Sequence, residues 1–399
     1  MIGRPGNPGH SVVAASLAIA GLMLANGTAF AGPSNLYAFT IEVGDSHTTA
    51  NSVLFDGESI WVAVEDNGRG ALKKMTQTGV ELSATLVGVA PIEMTYDGAR
   101  VWVTNYTSST VSIVDQNGVL VHTIFLPAGT HPEGIFFDGK YIWVANNGVG
   151  ENTVSKFDPG SFALVANYPV GLAPDGLAFD GTYIWVTNSL SDNVMKLNRE
   201  SGEILRTYPT GEYPLSIIFD GKDMWVGNSD VADPDAPPLA TASLTKLRAA
   251  GGVFLGTFAA GNAVRGLAYD GTSIWACNSA DDSFTRIRAS DGAQMGTYPA
   301  GKAPRGIAFD GVHMWIANSG DNTLTVVSPK SDPIVVTPAV AVLPAFGIYT
   351  PAVELMPRLL APLVRTSPGS AADVTAVKPR VPPSVAALGG ILDAVLDND

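Results

Sequence analysis

The sequence predicts an all-β protein, a seven-bladed β-propeller of four-stranded antiparallel blades, and three observations carry that prediction. Glycine (43) and proline (27) make up more than one residue in six of the 399, which excludes a helical bundle and favours short strands joined by tight turns. An aromatic-Asp-Gly triplet recurs seven times, at Phe55-Asp56-Gly57, Tyr96-Asp97-Gly98, Phe137-Asp138-Gly139, Phe179-Asp180-Gly181, Phe219-Asp220-Gly221, Tyr269-Asp270-Gly271 and Phe309-Asp310-Gly311. Five residues after each aspartate stands a tryptophan (Trp61, Trp102, Trp143, Trp185, Trp225, Trp275 and Trp315), and these are all seven in the chain.

The third unit shows how one period reads. Gly134 to Phe137 is a short apolar first strand, and Asp138-Gly139 offers the positive φ angles of a two-residue hairpin turn. Tyr141 to Ala145 carries the tryptophan in a second strand, Thr153 to Phe157 is a third, and Ala163 to Tyr168 a fourth. Four strands of about forty residues cannot cover both of their faces alone, whereas seven such units stacked in a ring cover one another. Residues 36–43, Leu-Tyr-Ala-Phe-Thr-Ile-Glu-Val, read as a fourth strand standing ahead of the first unit, while the seventh unit stops after its third strand near Val327. The N-terminal strand is therefore expected to complete the last blade and close the ring, with Ile334 to Val336 as the alternative.

The ends differ from this body. Arg4 precedes an apolar run from Ser11 to Ala25, and Ala29-Phe30-Ala31 supplies small residues where a signal peptidase reads, so residues 1–31 are expected to be a secretory signal peptide. The mature chain is then exported, to the periplasm, the cell surface or the medium, and keeps no transmembrane helix. Residues 330–399 contain ten prolines spread through Val and Ala, a pattern expected of a partly disordered extension, and residues 32–329 form the propeller. The formal net charge of −14 sits in the propeller, which argues against nucleic acid as a partner. The lone Cys277 lies in an apolar run and reads as core. A monomer is expected.

At Trp102-Val-Thr-Asn105 and Trp185-Val-Thr-Asn188 the second strand resembles the signature of the YVTN-repeat β-propellers, the family that includes YncE-like periplasmic proteins. Related forms stand at Trp143-Val-Ala-Asn146, Trp225-Val-Gly-Asn228, Trp275-Ala-Cys-Asn278 and Trp315-Ile-Ala-Asn318. The resemblance covers residues 36–329, with tryptophan in place of the usual tyrosine and Val64 where the first unit should have asparagine. It implies a secreted or periplasmic binding and scaffolding propeller. More distant in resemblance are the virginiamycin B lyase group, metal-assisted lyases, and the gluconolactonase-type propellers with a divalent cation in the channel. Neither group's catalytic motif is matched here residue by residue.

A residue present in every unit serves the unit, so function is expected where the units disagree. The asparagines after the tryptophan strand, and Glu151, Asp192, Asp282 and Asp321 in the next turns, recur and are expected to satisfy turn backbone. Four residues before each triplet's aromatic the sequence varies in kind: Asn51, Ile92, Glu133, Asp175, Leu215, Arg265 and Arg305. Two acids in neighbouring units and two arginines in neighbouring units, with Glu93 extending the acidic side, would give the channel mouth an anionic and a cationic flank. Such a mouth suits a dipolar ligand or a carboxylate gripped by paired guanidiniums; the competing reading is solvated rim charges and an internal ion-pair network.

Two further features stand out. The long interval after Asn228 holds Asp230, Asp233 and Asp235, candidates for a calcium or magnesium ion that match no defined ligand spacing. His131 with Glu133 and Asp175 is the set a metal-assisted lyase or hydrolase would use. The sequence therefore points to a binding or scaffold propeller recognising a small molecule, a peptide or a partner protein through Asn51, Glu93, Glu133, Asp175, Arg265 and Arg305. The alternative is a metal-assisted enzyme on the same face. No cofactor beyond a possible divalent cation is indicated.

Overall fold

The computed structural model describes residues 30–31, 36–45, 47–229 and 243–329. Residues 1–29 of the expected signal peptide, the acidic residues 230–242, the alternative closing strand expected at 334–336 and the expected C-terminal extension from 330 lie outside the described residues. What is described forms seven sheets around one axis. Their first strands are Thr48–Phe55, Pro91–Tyr96, Pro132–Phe137, Pro174–Phe179, Pro214–Phe219, Val264–Tyr269 and Pro304–Phe309. Each packs against the first strand of the next blade, and that of the seventh packs against that of the first, so the ring is closed.

Closure follows the expected route. Leu36–Glu42 pairs antiparallel with Thr323–Pro329 over its whole length, from Leu36 opposite Pro329 to Glu42 opposite Thr323. Phe30–Ala31 adds a two-residue fifth strand outside it. Among the described residues no helix is long and apolar enough to cross a membrane.

The core lies between blades rather than at a centre. Seven apolar clusters each join one blade to the next, and each contains one of the seven tryptophans. Trp143 of blade three, for example, packs against Leu177, Ile184, Val186 and Leu197 of blade four. An indole N–H buried this way needs an acceptor, and the aspartate of the triplet supplies it: in all seven blades Nε1 donates to that carboxylate at 2.7–2.8 Å. The five-residue spacing is thus a hydrogen bond across the hairpin.

Two local expectations need correction. The two residues of the turn are not Asp138 and Gly139: Phe137 pairs with Ile142 and Asp138 N–H donates to the Tyr141 carbonyl at 3.1 Å, which leaves Gly139 and Lys140 between. Only the glycine takes positive φ, +87° at Gly139, because the aspartate side chain closes the turn instead. Asp138 Oδ1 accepts the backbone N–H groups of Lys140 and Tyr141 at 2.8 and 2.7 Å. The recurrent asparagines serve loop backbone in one blade, where Asn278 Oδ1 accepts the Gly261 N–H at 3.0 Å, and otherwise bind mainly side chains. They are buried and donate to side chains of the third strand, as Asn146 does to Thr153 Oγ1 and Ser155 Oγ at 2.9 and 2.8 Å. Three of the turn acids do bind backbone: Asp192 and Asp282 accept from the next blade, at Tyr213 N–H and Ala303 N–H, and Asp321 accepts from Lys302 N–H of its own blade.

On the side of the Asp-Gly turns a second staple joins blades. Lys156, Lys196 and Lys246 lie opposite the tryptophan of their own blade, with Nζ 4.5–5.1 Å from the indole centroid. Their ammonium groups reach backbone carbonyls of the following blade, at Arg199, Ala249 and Ala289. These lysines are buried because their charge meets an aromatic face and a carbonyl, and in Lys196 and Lys246 also a carboxylate, Asp180 at 3.4 Å and Asp223 at 3.2 Å.

Candidate functional site

The opposite end of the channel is built from the variable positions. Every first strand slips register against its second strand near its start, as between Pro132 and Ile135 or between Val264 and Leu267. A bulge re-aims the extra side chain, and in each blade the variable residue occupies it. In four blades glycine follows, for a steric reason: a Cβ at Gly134 would stand 2.0 Å from the Asp175 carbonyl oxygen, and one at Gly266 2.1 Å from that of Arg305. Blade two departs, with Ile92 at the variable place and Glu93 where the glycine would be. Thr104 compensates. Its hydroxyl accepts the Glu93 N–H at 3.2 Å and donates to the Glu133 carbonyl at 2.6 Å, so one side chain fixes the backbone under two site carboxylates.

The bulges bring Glu93, Glu133, Asp175, Arg265 and Arg305 into one field. Arg305 of blade seven reaches Glu133 of blade three at 3.6 Å, an ion pair across the channel. The two flanks read from the sequence therefore meet over the axis. Arg265, Glu93 and Asp175 have no ion-pair partner within 4 Å among the described residues. Ile92 and Leu215 at the remaining variable positions are buried. Asn51 is spent on the scaffold: it is buried and its Nδ2 donates to the Pro91 carbonyl at 2.9 Å.

Electrostatics follow from this crowding. Glu93 is exposed to solvent, yet it stands among the blades on a first-strand bulge. Enclosure by the blades pushes its carboxyl up to about 7; Arg305 opposes that rise and Glu133 adds to it. Asp175 is raised well above the usual carboxylate range, first by burial and then by Glu133 and Glu93, against the pull of Arg305 and Arg265. Glu133 is raised by burial and held back by Arg305, Arg265 and His131. Burial, then repulsion from Arg305, lowers Arg265. Glu133 and Asp175, the second in the field of the first, titrate together.

Two residues of the mouth escaped the sequence reading. Tyr106 follows Asn105 where four other blades have serine (Ser189, Ser229, Ser279 and Ser319), and its phenol is raised by burial and by Glu133, Tyr213 and Asp175. Tyr213 opens blade five where blades two, four, six and seven have alanine (Ala90, Ala173, Ala263 and Ala303). His131 holds the same opening position in blade three, and its ring stacks on Tyr106 at 4.4 Å with 26° between planes. All six of these opening residues take a left-handed φ of 47–55°, which lifts their side chains out of the strand line. The signal was a second and a third column of disagreement beside the one chosen.

The mouth does not suit a divalent cation, because Arg305 and Arg265 already stand among its carboxylates. Among the described residues no three His, Cys, Asp or Glu side chains converge as metal ligands. Asp230, Asp233 and Asp235 lie outside the described residues. The arrangement offers charged and aromatic groups of both characters on rigid strands, which is the equipment of a binding site.

The sequence matches no family model and no curated protein. Solved structures do resemble the fold. Hydrazine synthase of Kuenenia stuttgartiensis is 19% identical with a TM-score of 0.61, over 73% of this chain and 98% of that one. A catalytically inactive virginiamycin B lyase of Staphylococcus aureus, solved with quinupristin, is 16% identical with a TM-score of 0.58, over 73% and 99%. The Pan2 WD40 domain of Neurospora crassa is 12% identical with a TM-score of 0.61, over 74% and 95%. At these identities the likeness extends to the propeller fold alone, which hosts lyases and a WD40 domain alike.

Proposed function

We propose that this chain is an exported binding propeller of the YVTN type, and that it takes a small polar ligand at the channel mouth. One observation carries the reading: the side chains that break the repeat, from blades two, three, four, six and seven, converge on one opening, where Arg305 meets Glu133 across the axis. Charges placed only to decorate a rim have no reason to cross the channel. The resemblance of the Trp-Val-Thr-Asn strands supports a binding role, and the apolar run with Ala29-Phe30-Ala31 supports export. His131 is engaged in its stack with Tyr106, and no observation favours a metal-assisted lyase.

The test is a thermal-shift screen of small charged and zwitterionic metabolites, run with EDTA present. A hit is expected to bind without metal, and Arg265→Ala and Arg305→Ala are each expected to weaken it by about tenfold or more. Binding that survives both substitutions, or that requires a metal ion, contradicts the reading.

A further inference from the structure

The charges at the mouth do not cancel. Three carboxyls (Glu93, Glu133 and Asp175) face two guanidiniums (Arg265 and Arg305), so one carboxyl lacks a cation however the pairs are drawn. The geometry shows where. Arg305 is engaged with Glu133, which leaves Arg265 on one side and Glu93 and Asp175 on the other without a partner at ion-pair distance. Tyr106 and Tyr213, the two aromatic departures from the repeat, stand in the same field, and burial and then the charges of Glu133, Tyr213 and Asp175 raise the Tyr106 phenol. Carboxylates beside aromatic faces are the chemistry that holds an organic ammonium, by charge and by the negative π face together. A lone guanidinium opposite is the chemistry that holds a carboxylate.

Resting on the reading of the mouth as a ligand site, we propose that its ligand is a small zwitterion. Its ammonium end lies at the Glu93 and Asp175 side, and its carboxylate end at Arg265. The ammonium supplies the cation that the protein itself omits. Without a ligand, that place is open to a proton at Glu93, whose carboxyl enclosure and the Glu133 charge push up to about 7. Arg305 from blade seven, Glu133 from blade three, Arg265 from blade six, His131, Tyr106 and Tyr213 are the other titratable or charged groups facing Glu93 and Asp175. Arrival of a fixed positive charge expels the proton, so binding and proton release are one event. Affinity for the cation therefore rises with pH through about 7.

Isothermal titration calorimetry of the full mature chain tests this with three probes at pH 6.5, each in two buffers of different ionisation enthalpy. Glycine betaine carries both charges and no exchangeable ammonium proton, tetramethylammonium carries only the cation, and acetate only the anion. Betaine is expected to bind tightest and tetramethylammonium about tenfold more weakly, both with net release of up to one proton from the protein. Acetate is expected to bind weakest and to release none. Glu93→Gln should reduce the proton release, and Arg265→Ala should bring betaine down to the level of tetramethylammonium. If acetate binds as well as betaine, or if betaine binds without proton release, the zwitterion assignment is overturned while the mouth stands as a polar site. If none of the three binds, the assignment is overturned; the metabolite screen then decides the wider reading separately.

Discussion

The two ends of the channel follow opposite rules. At the Asp-Gly end the blades repeat one another: seven carboxylates accept from seven indoles at nearly one distance, and three buried lysines fasten consecutive blades in the same way. At the mouth the seven blades present six residue types, and only blades six and seven, with Arg265 and Arg305, share one. Strand, bulge and turn are shared, but the side chain on the bulge changes from amide to alkyl to carboxylate to guanidinium. The lesson is a division of labour along each first strand. Its Asp-Gly end holds the fold, and its bulged beginning is free to vary because the backbone there is already held from the neighbouring blade.

That comparison is sharpened first within a single blade. Asp138 and Glu133 flank the same strand of blade three, and both are carboxylates facing an arginine. Asp138 is buried; burial alone would raise its carboxyl, but donors from Arg199, Tyr141 and Trp143 hold it below the usual range. Asp138→Ala strands those donors and is expected to cost about 3 kcal/mol in urea unfolding. Glu133→Gln, which removes a carboxylate raised by its surroundings, is expected to change stability by less than about 1 kcal/mol. Equal losses from the two would erase the distinction between the ends.

A smaller effect separates them by pH. Because the folded chain holds the Glu93 proton more tightly than the unfolded chain does, the group's contribution to stability is full below the ordinary carboxylate range. It is lost as pH rises through about 7. Glu93→Gln is therefore expected to raise the melting temperature at pH 8, by a few degrees at most given its exposure to solvent, and to leave it unchanged at pH 4. A variant that melts lower than the parent at pH 8 would place Glu93 among the structural carboxylates.

The fold was legible because its signals are local and repeated. A tryptophan five residues after an aspartate is a pattern along the chain, and the closing strand showed itself as an unpaired fourth strand ahead of the first unit. The variable column was legible for the same reason. What the sequence hid lies between blades. Nothing in the spacing of Glu133 and Arg305 says that they touch, because a contact across the channel depends on its width. Tyr106 and Tyr213 were missed because each departs from the repeat in a different column, serine in one and alanine in the other. The turn was misjudged because Asp-Gly was read by backbone angles alone, whereas the Asp138 carboxylate binds Lys140 and Tyr141 N–H and so replaces one of those angles.

The most direct measurement combines stability and binding in one variant, with Glu93, Glu133 and Asp175 changed to Gln, Gln and Asn, and Arg265 and Arg305 changed to Met. If the mouth is equipment mounted on a scaffold held elsewhere, this chain melts at pH 8 at or above the temperature of the parent and no longer binds any ligand the parent binds. A melting temperature lowered by more than about 10 °C, or ligand affinity retained, would show that the departures from the repeat belong to the fold after all.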